Sequence, residues 1–330
     1  MHAFTFHGGR IEDAARAFPD APLPWLDLST GINPVAWMPP PLPPVDLRPL
    51  PSPAALQELE AAAGAAFGAQ ALAVAALPGS EIGLRLLAHG DLPRPFRHVA
   101  PAYRTHAEAL PGGTALSPEA LGAAARDGGT ILIANPNNPD GRLLSHADLL
   151  ALARTLGAAG GVLVVDEAFA DAMPGASIVP YLSADDPVIV LRSFGKIFGL
   201  AGLRLGFAVG HPARVARIAA TLGSWPVSAS AIALGTAAYR DTGWLAATQA
   251  RLAAAAAALD AVLRGHGLAP IGACPLFRLV EQPAANELFE RLAHAGILTR
   301  PFDYAPRWLR IGLPGDAAAL ARLDRALHDR

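Results

Sequence analysis

The sequence lacks features that are typical of disulfide-rich proteins and of proteins that bind nucleic acid or anionic membrane surfaces. It contains one cysteine, Cys274, in 330 residues, which excludes an intramolecular disulfide framework. Lysine plus arginine number 26 and aspartate plus glutamate 28, which gives a net charge of −2. This balance provides no electrostatic basis for binding nucleic acid or an anionic membrane surface. We therefore expect small molecules as partners, and we predict no metal site.

Long apolar segments and secretion signals are also missing. The longest apolar run, residues 252–263, is mostly alanine and contains Asp260, so it predicts a packed helix rather than a membrane span. The first seven residues lack the basic and then apolar regions of a signal peptide. These absences favour a cytoplasmic enzyme.

The chain length suggests about two domains. Strand-like and helix-like segments alternate between residues 54 and 225, as expected for an α/β fold with a mostly parallel sheet between helices. We predict an amino-terminal arm and proline-rich, extended connector at 1–53, a large domain at 54–225 and a smaller α+β domain at 226–330. In the smaller domain the pattern predicts long alanine-rich helices, strands at 276–280, 297–301 and 308–312, and helices at 284–295 and from Asp316.

Four unbroken apolar runs in the predicted large domain are typical of strands buried on both faces. They lie at residues 71–77, 130–134, 161–165 and 188–191. Polar residues follow each run, namely Gly79-Ser80-Glu81, residues 135–139, Asp166-Glu167, and Ser193 with Lys196. Ligands bind beyond the carboxyl ends of strands in open α/β sheets. The four strand ends therefore predict one site.

The segment from Ser193 to Gly206 carries the most informative pattern. Lys196 lies among apolar and glycine residues, three residues after Ser193 and eight before Arg204. A lysine that forms an imine with pyridoxal phosphate needs a mostly apolar pocket that keeps its amine reactive. The hydroxyl of Ser193 and the guanidinium of Arg204 could bind the cofactor phosphate. On these residues alone, a structural Ser-Lys-Arg turn stays open as an alternative.

Two further polar residues match the same cofactor. Asp166 could accept a hydrogen bond from a protonated pyridine nitrogen, which would keep the ring electron-withdrawing. Asn138 could donate its side-chain amide to the phenolate oxygen of the ring. Each also has a structural interpretation, because aspartate caps helices and turns and Asn-Pro pairs form turns.

Two more segments could complete the cofactor site. Gly79, Ser80 and Glu81 open a predicted helix, where free backbone amides can hold a phosphate. Tyr103 could stack its ring on the pyridine. A plain helix cap and a core tyrosine are the structural alternatives.

Taken together, these motifs resemble the fold-type I pyridoxal-phosphate enzymes, and within them the histidinol-phosphate aminotransferase branch. The resemblance rests on strand-Gly-Ser, Pro-x-Tyr, Asn-Pro-Asn-Asn-Pro-x-Gly, Asp-Glu-Ala-x, Ser-x-x-Lys and the following arginine, in that order across residues 70–312. It implies that Lys196 bonds to the cofactor, that Asp166 pairs with the pyridine nitrogen and that Asn138 binds the phenolate oxygen. It further implies that Tyr103 stacks on the ring and that the phosphate is held by Gly79, Ser80, Glu81, Ser193 and Arg204.

The amino-terminal segment is similar to that of the threonine-phosphate decarboxylases. These begin with a comparable His-Gly-Gly, here His7 to Gly9, and a Ser-x-x-Ile-Asn-Pro stretch, here near Asn33. His7 beside the backbone amides of Gly8 and its neighbour, with the amide of Asn33, suits an anion. A polar arm without a binding role is the structural alternative.

Two carboxyl-terminal arginines lie where the family places arginines that bind substrate anions. Arg300 and Arg310 lie in predicted strands of the smaller domain. Two arginines match a substrate that carries both a carboxylate and a phosphate. Which arginine binds which anion stays open.

The resemblance implies decarboxylation of L-threonine O-3-phosphate to (R)-1-aminopropan-2-yl phosphate, a step of cobalamin biosynthesis. Binding geometry would select this reaction by placing the carboxylate bond perpendicular to the cofactor ring. If the α-hydrogen took that place, Lys196 would remove it and amino transfer to 2-oxoglutarate would follow. A histidinol-phosphate-type aminotransferase is therefore an alternative, and a non-catalytic protein that binds cofactor or effector is another.

Two positions depart from the family pattern. Phe169 stands where many relatives carry a tyrosine that also bonds the phenolate oxygen, and a phenylalanine has no hydroxyl. Leu50 stands where many relatives carry a tyrosine that reaches the cofactor phosphate of the partner subunit. The resemblance still implies a homodimer, without this particular contact.

Overall fold

A computed structural model describes residues 2–40 and 44–328. The helices are α1 (His2–Phe6), α2 (Ile11–Ala17), α3 (Pro53–Phe67), α4 (Ser80–Leu86), α5 (Thr105–Ala109), α6 (Leu121–Arg126), α7 (His146–Ala158), α8 (Phe194–Ile197), α9 (Pro212–Leu222), α10 (Ala229–Arg240), α11 (Thr242–Gly265), α12 (Ala285–His294) and α13 (Ala317–His328). The strands are β1 (Leu26–Asp27), β2 (Ala73–Leu77), β3 (Phe96–Val99), β4 (Thr114–Leu116), β5 (Thr130–Ala134), β6 (Val162–Glu167), β7 (Val188–Ser193), β8 (Gly206–Gly210), β9 (Pro270–Ile271), β10 (Phe277–Glu281), β11 (Ile297–Leu298), β12 (Arg300–Pro301) and β13 (Trp308–Gly312).

Proximity of Cα atoms divides the chain into two compact units. The larger unit takes in the described residues of 36–138 and 143–247, and the smaller unit takes in those up to residue 35, 139–142 and from residue 248 onward. The three-part domain division predicted from the sequence stays a prediction, since a unit defined by proximity is not itself a domain.

The larger unit contains a seven-stranded sheet in the order β2-β8-β7-β6-β5-β3-β4. Its strands pair in parallel except for β8, which is antiparallel to both β2 and β7. The predicted α/β fold with a mostly parallel sheet is confirmed. The four apolar runs form β2, β5, β6 and β7 within two residues of the predicted bounds. The short strands β3, β4 and β8 were not predicted, because they are too brief or too rich in glycine to give a clear pattern.

The central strands are buried because both of their faces are apolar. Every residue of β6 and β7 is buried. Leu77, Leu84, Leu132, Val164 and Leu191 pack into one cluster on one side of the sheet. Burial of such side chains stabilises the fold by about 1.5–3 kcal/mol each. The sheet is therefore a rigid support for the loops at its edge.

The smaller unit holds two short sheets. One has the order β12-β13-β10-β9, and the other pairs β1 with β11 in parallel. The single strand predicted at 297–301 is wrong, because β11 and β12 join different sheets and Thr299 separates them. The predicted helix at 284–295 and the strand at 308–312 are present as α12 and β13 within one residue of each bound.

The proline-rich connector contains bends at residues 34–35 and 48–49, so the prediction that it is extended throughout stays a prediction. Its described residues from 34 to 52 form neither helix nor strand, since proline fixes its φ angle and donates no backbone hydrogen bond. Pro41 and Pro43, part of the same prediction, lie outside the described residues. Among the helices that are described, none combines the length and the apolar character that crossing a membrane would require.

Candidate active site

The register of the seven-stranded sheet brings three predicted phosphate-site segments to one edge. Gly206, the first residue of β8, lies opposite Leu77 of β2 and opposite Ser193 of β7. Because β8 runs against both neighbours, the residues before it lie at the carboxyl ends of β2 and β7. Arg204 therefore lies beside the loop that follows β2 and beside Ser193.

Glycine allows this edge to be packed closely. A Cβ atom on Gly79, whose φ is +96°, would lie 2.7 Å from Nη2 of Arg204, and one on Gly206 would lie 2.5 Å from the backbone nitrogen of Ser80. Arg204 is itself held in the left-handed region, at φ +56°, and its Nη1 donates to the carbonyl oxygen of Ala201 at 3.1 Å. A guanidinium beside the backbone of a Gly-Ser turn is a donor set that fits a phosphate.

The carboxylate of Asp166 is fixed at the end of β6. Only 5% of this residue is exposed. Oδ2 lies 3.0 Å from Nε2 of His106, and Oδ1 accepts from the backbone nitrogen of Ala168 at 3.1 Å. A buried carboxylate held in this way fits a protonated ring nitrogen as its charged partner. His106 is fully buried and was not predicted, because a single histidine in a short helix carries no sequence signal.

Tyr103 lies close to the carboxylates of both Asp166 and Glu81. Burial and the nearby charge of Glu81 raise the pKa of Tyr103 to about 12, so its phenol stays neutral. Its ring meets the His106 ring edge-on, with centroids 6.2 Å apart. The carboxylate of Glu81 accepts from the hydroxyl of Thr105 at 3.0 Å and from Arg85 at 3.2 Å. Glu81 can therefore serve a phosphate only through its backbone amide.

The loop after β5 is held by its own asparagines. The side-chain amide of Asn135 bonds the backbone of Leu144 in both directions, at 2.8 and 3.2 Å. Nδ2 of Asn137 donates to the carbonyl oxygen of Pro101 at 3.0 Å, which ties this loop to the segment that carries Tyr103. Asn138 follows and is half-buried. The loop can thus present Asn138 in a fixed position.

Lys196 is half-buried in the short helix α8, with Nζ 5.7 Å from the centre of the Phe169 ring. Phe194 and Phe198 flank it, are fully buried and stack with centroids 4.5 Å apart. The backbone nitrogen of Trp37 donates to the carbonyl oxygen of Phe198 at 2.8 Å. Aromatic packing on both sides therefore fixes the backbone that carries the amine.

The amino-acid composition also distinguishes this residue, which the motifs alone did not show: Lys196 is the only lysine in the sequence, beside 25 arginines. Arginine supplies a positive charge as well as lysine does, but its guanidinium ordinarily holds its proton more tightly than an ammonium group does, so arginine is not used as a nucleophilic amine. In a chain with one lysine, Lys196 is the only lysine side chain that could supply a nucleophilic amine.

Behind the strand ends lies a buried ion network. Nη1 of Arg192 donates to Oε2 of Glu167 and to Oγ of Ser177, both at 2.7 Å, and Nη2 pairs with Asp171. Burial alone would lower the pKa of Arg192, but the charges of Asp171 and Glu167 outweigh it and raise that pKa. Residues 167 and 192 alternate along their strands with Asp166 and Ser193, so the network faces away from the two site residues. It locks the strand ends that carry them.

The smaller unit contains the two predicted anion-binding arginines. Arg300 of β12 and Arg310 of β13 are partners in the antiparallel register. Nη2 of Arg300 donates to the carbonyl oxygen of Phe6 at 2.8 Å, and Nη2 of Arg310 to that of Ser29 at 2.7 Å. Burial, and then the charge of Arg300, lower the pKa of Arg310 to about 9. The negative charge of a bound anion would offset both effects by favouring the protonated guanidinium.

The amino-terminal arm packs on the same pair of strands. A Cβ atom on Gly8 would lie 2.3 Å from the carbonyl oxygen of Ser29, so only glycine fits there. The backbone nitrogen of Gly9 donates to Oγ of Ser29 at 2.8 Å. Ser29 thus joins the arm to Arg310. His7 is exposed, with its ring 4.5 Å from that of Phe6.

Asn33 has a partner that sequence reasoning missed. Asn33 is 2% exposed. Its Oδ1 accepts from the backbone nitrogen of Val35 at 3.1 Å and from Nη2 of Arg251 at 3.2 Å. With Oδ1 used in this way, the NH₂ group of Asn33 is oriented as the donor. Arg251 lies in the middle of α11 and has no local motif that could have identified it.

An α/β sheet with a lysine, a fixed carboxylate and a phosphate-type donor set at its strand ends defines the class of pyridoxal-phosphate-dependent enzymes. The model of the family aminotransferase class I and II matches residues 66–327, and the chain belongs to that family. The resemblance found in the sequence motifs is thereby confirmed.

Two relatives that match almost the whole chain, and one solved structure, indicate which members of the family this chain is similar to. A threonine-phosphate decarboxylase of Sinorhizobium sp is 43% identical over 99% of this chain and 98% of its own length. Another, of Pseudomonas aeruginosa, is 41% identical over 97% of this chain and 96% of its own length. A crystal structure of histidinol-phosphate aminotransferase from Sinorhizobium meliloti with pyridoxal-5'-phosphate shares the fold at a TM-score of 0.72 and 22% identity, covering 85% of this chain and 82% of that one.

Proposed function

We propose that this protein is a pyridoxal-phosphate-dependent carboxy-lyase that decarboxylates L-threonine O-3-phosphate to (R)-1-aminopropan-2-yl phosphate for cobalamin biosynthesis. Two relatives named threonine-phosphate decarboxylase support it at 43% and 41% identity over nearly the full chain. The structural observation that carries it is the paired burial of Arg300 and Arg310, because a substrate with two anionic groups is what two adjacent buried cations accommodate.

The residues of the larger unit are proposed to hold the cofactor. Bound pyridoxal phosphate supplies an aldehyde that bonds the amine and a ring that takes up the electron pair of the broken bond. Lys196 provides the amine, and Asp166, held by His106, keeps a proton on the ring nitrogen. Asn138 donates to the phenolate oxygen, and Tyr103 covers the ring. The phosphate is bound by Ser193, Arg204 and the backbone of Gly79, Ser80 and Glu81.

The residues of the smaller unit are proposed to hold the substrate. Arg300 and Arg310 bind its carboxylate and phosphate. His7, the backbone amide at Gly8 and the NH₂ group of Asn33 add donors to the phosphate. Holding both anions fixes the substrate, so that the bond to the carboxylate breaks in preference to the bond to the α-hydrogen. Carbon dioxide leaves, and Nζ of Lys196 returns a proton to the α-carbon.

We also propose a cytoplasmic homodimer. Leu47 and Leu50 of the connector are 69% and 64% exposed, and such apolar side chains favour burial against a second copy. Light scattering on purified protein tests this proposal: a mass of about twice 34.0 kDa is expected, and a stable monomer at assay concentration would contradict it.

The test of the function is incubation of the cofactor-loaded enzyme with L-threonine O-3-phosphate in the absence of any oxo acid. We expect repeated turnover, with carbon dioxide and aminopropanol phosphate in equal amounts by mass spectrometry. No product there, together with amino transfer from histidinol phosphate to 2-oxoglutarate, would overturn the proposal in favour of an aminotransferase. Cofactor binding without either reaction would favour a non-catalytic protein.

A further inference from the structure

A cluster of metal-type ligands lies in the smaller unit, on residues that the proposed reaction does not use. His266 follows the last residue of α11, and Asp324 and His328 lie on α13. One ligand atom from each of the three residues lies within 4.8 Å of the others. Asp324 and His328 are four residues apart on one helix, so their side chains project from the same face.

The three side chains are already in contact. Nε2 of His266 lies 2.7 Å from Oδ1 of Asp324, and the ring of His266 meets that of His328 edge-on, with centroids 4.8 Å apart. The side chain of His266 is 12% exposed and that of Asp324 is 49% exposed. The site therefore has a packed side and a side open to solvent.

The donor set distinguishes this cluster from a simple ion pair. A pair between His266 and Asp324 needs no second imidazole, yet His328 is placed against the same ring. Two imidazole nitrogens and one carboxylate oxygen are ligands that Zn²⁺ and neighbouring first-row divalent ions accept. In a tetrahedral zinc site the ligand atoms lie about 3.4 Å apart. The pair of ligand atoms at 2.7 Å would therefore have to separate slightly, and wider spacings, up to 4.8 Å, would have to close.

We propose that His266, Asp324 and His328 form a binding site for Zn²⁺ or a similar divalent transition-metal ion, with water in the remaining position. The ion would join the carboxyl-terminal end of α11 to α13, two helices of the smaller unit. Because binding favours the folded state alone, it would also stabilise this unit. The proposal is independent of the proposed reaction.

The test is titration of Zn²⁺ into tag-free protein carrying its cofactor, with calorimetry for affinity and Co²⁺ absorption for coordination geometry. We expect one ion per chain, and affinity at least about tenfold lower in His266→Ala and His328→Ala. His294→Ala is the matched control, since His294 is an exposed histidine at the end of α12, and its affinity is expected to equal that of the parent protein.

Thermal denaturation gives a second measurement that does not depend on activity. We expect Zn²⁺ to raise the Tm of the parent protein and of His294→Ala by the same amount, and that of His328→Ala by less at the same Zn²⁺ concentration. Circular dichroism and cofactor absorbance of each variant confirm that it folds. The proposal is overturned if Zn²⁺ does not bind, or if binding is unchanged in both His266→Ala and His328→Ala, in which case His266 and Asp324 form an ion pair only.

Discussion

Arg192 in the larger unit and Arg310 in the smaller unit are both 2% exposed, but the neighbouring charge that acts most strongly on each has the opposite sign. Arg192 lies against Glu167 and Asp171, which raise its pKa despite burial. Arg310 lies near Arg300, and burial together with that second cation lowers its pKa to about 9. A buried cation surrounded by carboxylates serves the fold, whereas one placed beside another cation is costly to the fold and suits an arriving anion.

The largest effect is expected from removing the one lysine. Lys196→Arg keeps the positive charge but has no amine that can lose its proton, so kcat should fall by about 10⁴-fold or more. Borohydride reduction followed by mass spectrometry checks the attachment point. In the parent protein the cofactor should be fixed to the peptide that contains Lys196, and the variant should carry none. Normal turnover of the variant would remove Lys196 from the reaction.

Arg310→Met should separate substrate binding from cofactor binding. With one of the two anion-binding arginines removed, kcat/KM should fall by at least about 10²-fold. Cofactor absorbance should stay intact, because the cofactor is proposed to bind other residues. Steady-state kinetics and absorbance spectra of the same preparation measure both. Loss of cofactor along with turnover would contradict this division of roles.

Arg251→Gln should have a smaller and more specific effect. Removal of a charged donor to Oδ1 of Asn33 frees the amide to rotate, and KM for L-threonine O-3-phosphate should rise about tenfold while kcat changes less. Arg264→Gln on the same helix is the control, since Arg264 is exposed and lies 3.7 Å from Asp260. Equal kinetics for the two variants would show that Arg251 plays no part in binding.

The smallest effect is expected from a change of pH, acting on the affinity for a substrate analogue. The folded-state pKa of Arg310 is lowered to about 9, so its protonated, anion-binding form predominates well below pH 9 and is lost as pH rises through that value. Affinity for a phosphorylated hydroxy acid without an amino group should be about fourfold lower at pH 9.5 than at pH 8. Titration calorimetry at the two pH values measures this affinity. The same decline in Arg310→Met would assign the titration to another group.

Much of the larger unit could be predicted because its signals are local. Three of the apolar runs form β5, β6 and β7. The polar residues that follow each run are its immediate neighbours in the sequence. The antiparallel strand β8 was missed, although its register is what brings Arg204 to Gly79. Strand direction depends on pairing between distant segments, which residue periodicity does not encode.

The contacts that orient the site residues were missed for a related reason. His106 and Asp166 are 60 residues apart, and Arg251 and Asn33 are 218 apart. A single buried histidine or a helical arginine has no spacing pattern of its own. The only lysine, in contrast, could have been singled out from the composition, because its amine offers a nucleophile that the 25 arginines do not.

The most direct test of the difference between the two buried arginines is the Tm of Arg192→Met compared with that of Arg310→Met. Both variants exchange a buried guanidinium for an apolar side chain. Arg192→Met leaves the buried carboxylate of Glu167 and the partly buried one of Asp171 without their cation and should lose about 3–5 kcal/mol of stability. Arg310→Met removes one of two adjacent cations and should keep or increase the Tm. A fall in Tm for Arg310→Met as large as that for Arg192→Met would contradict the account, since Arg310 would then serve the fold.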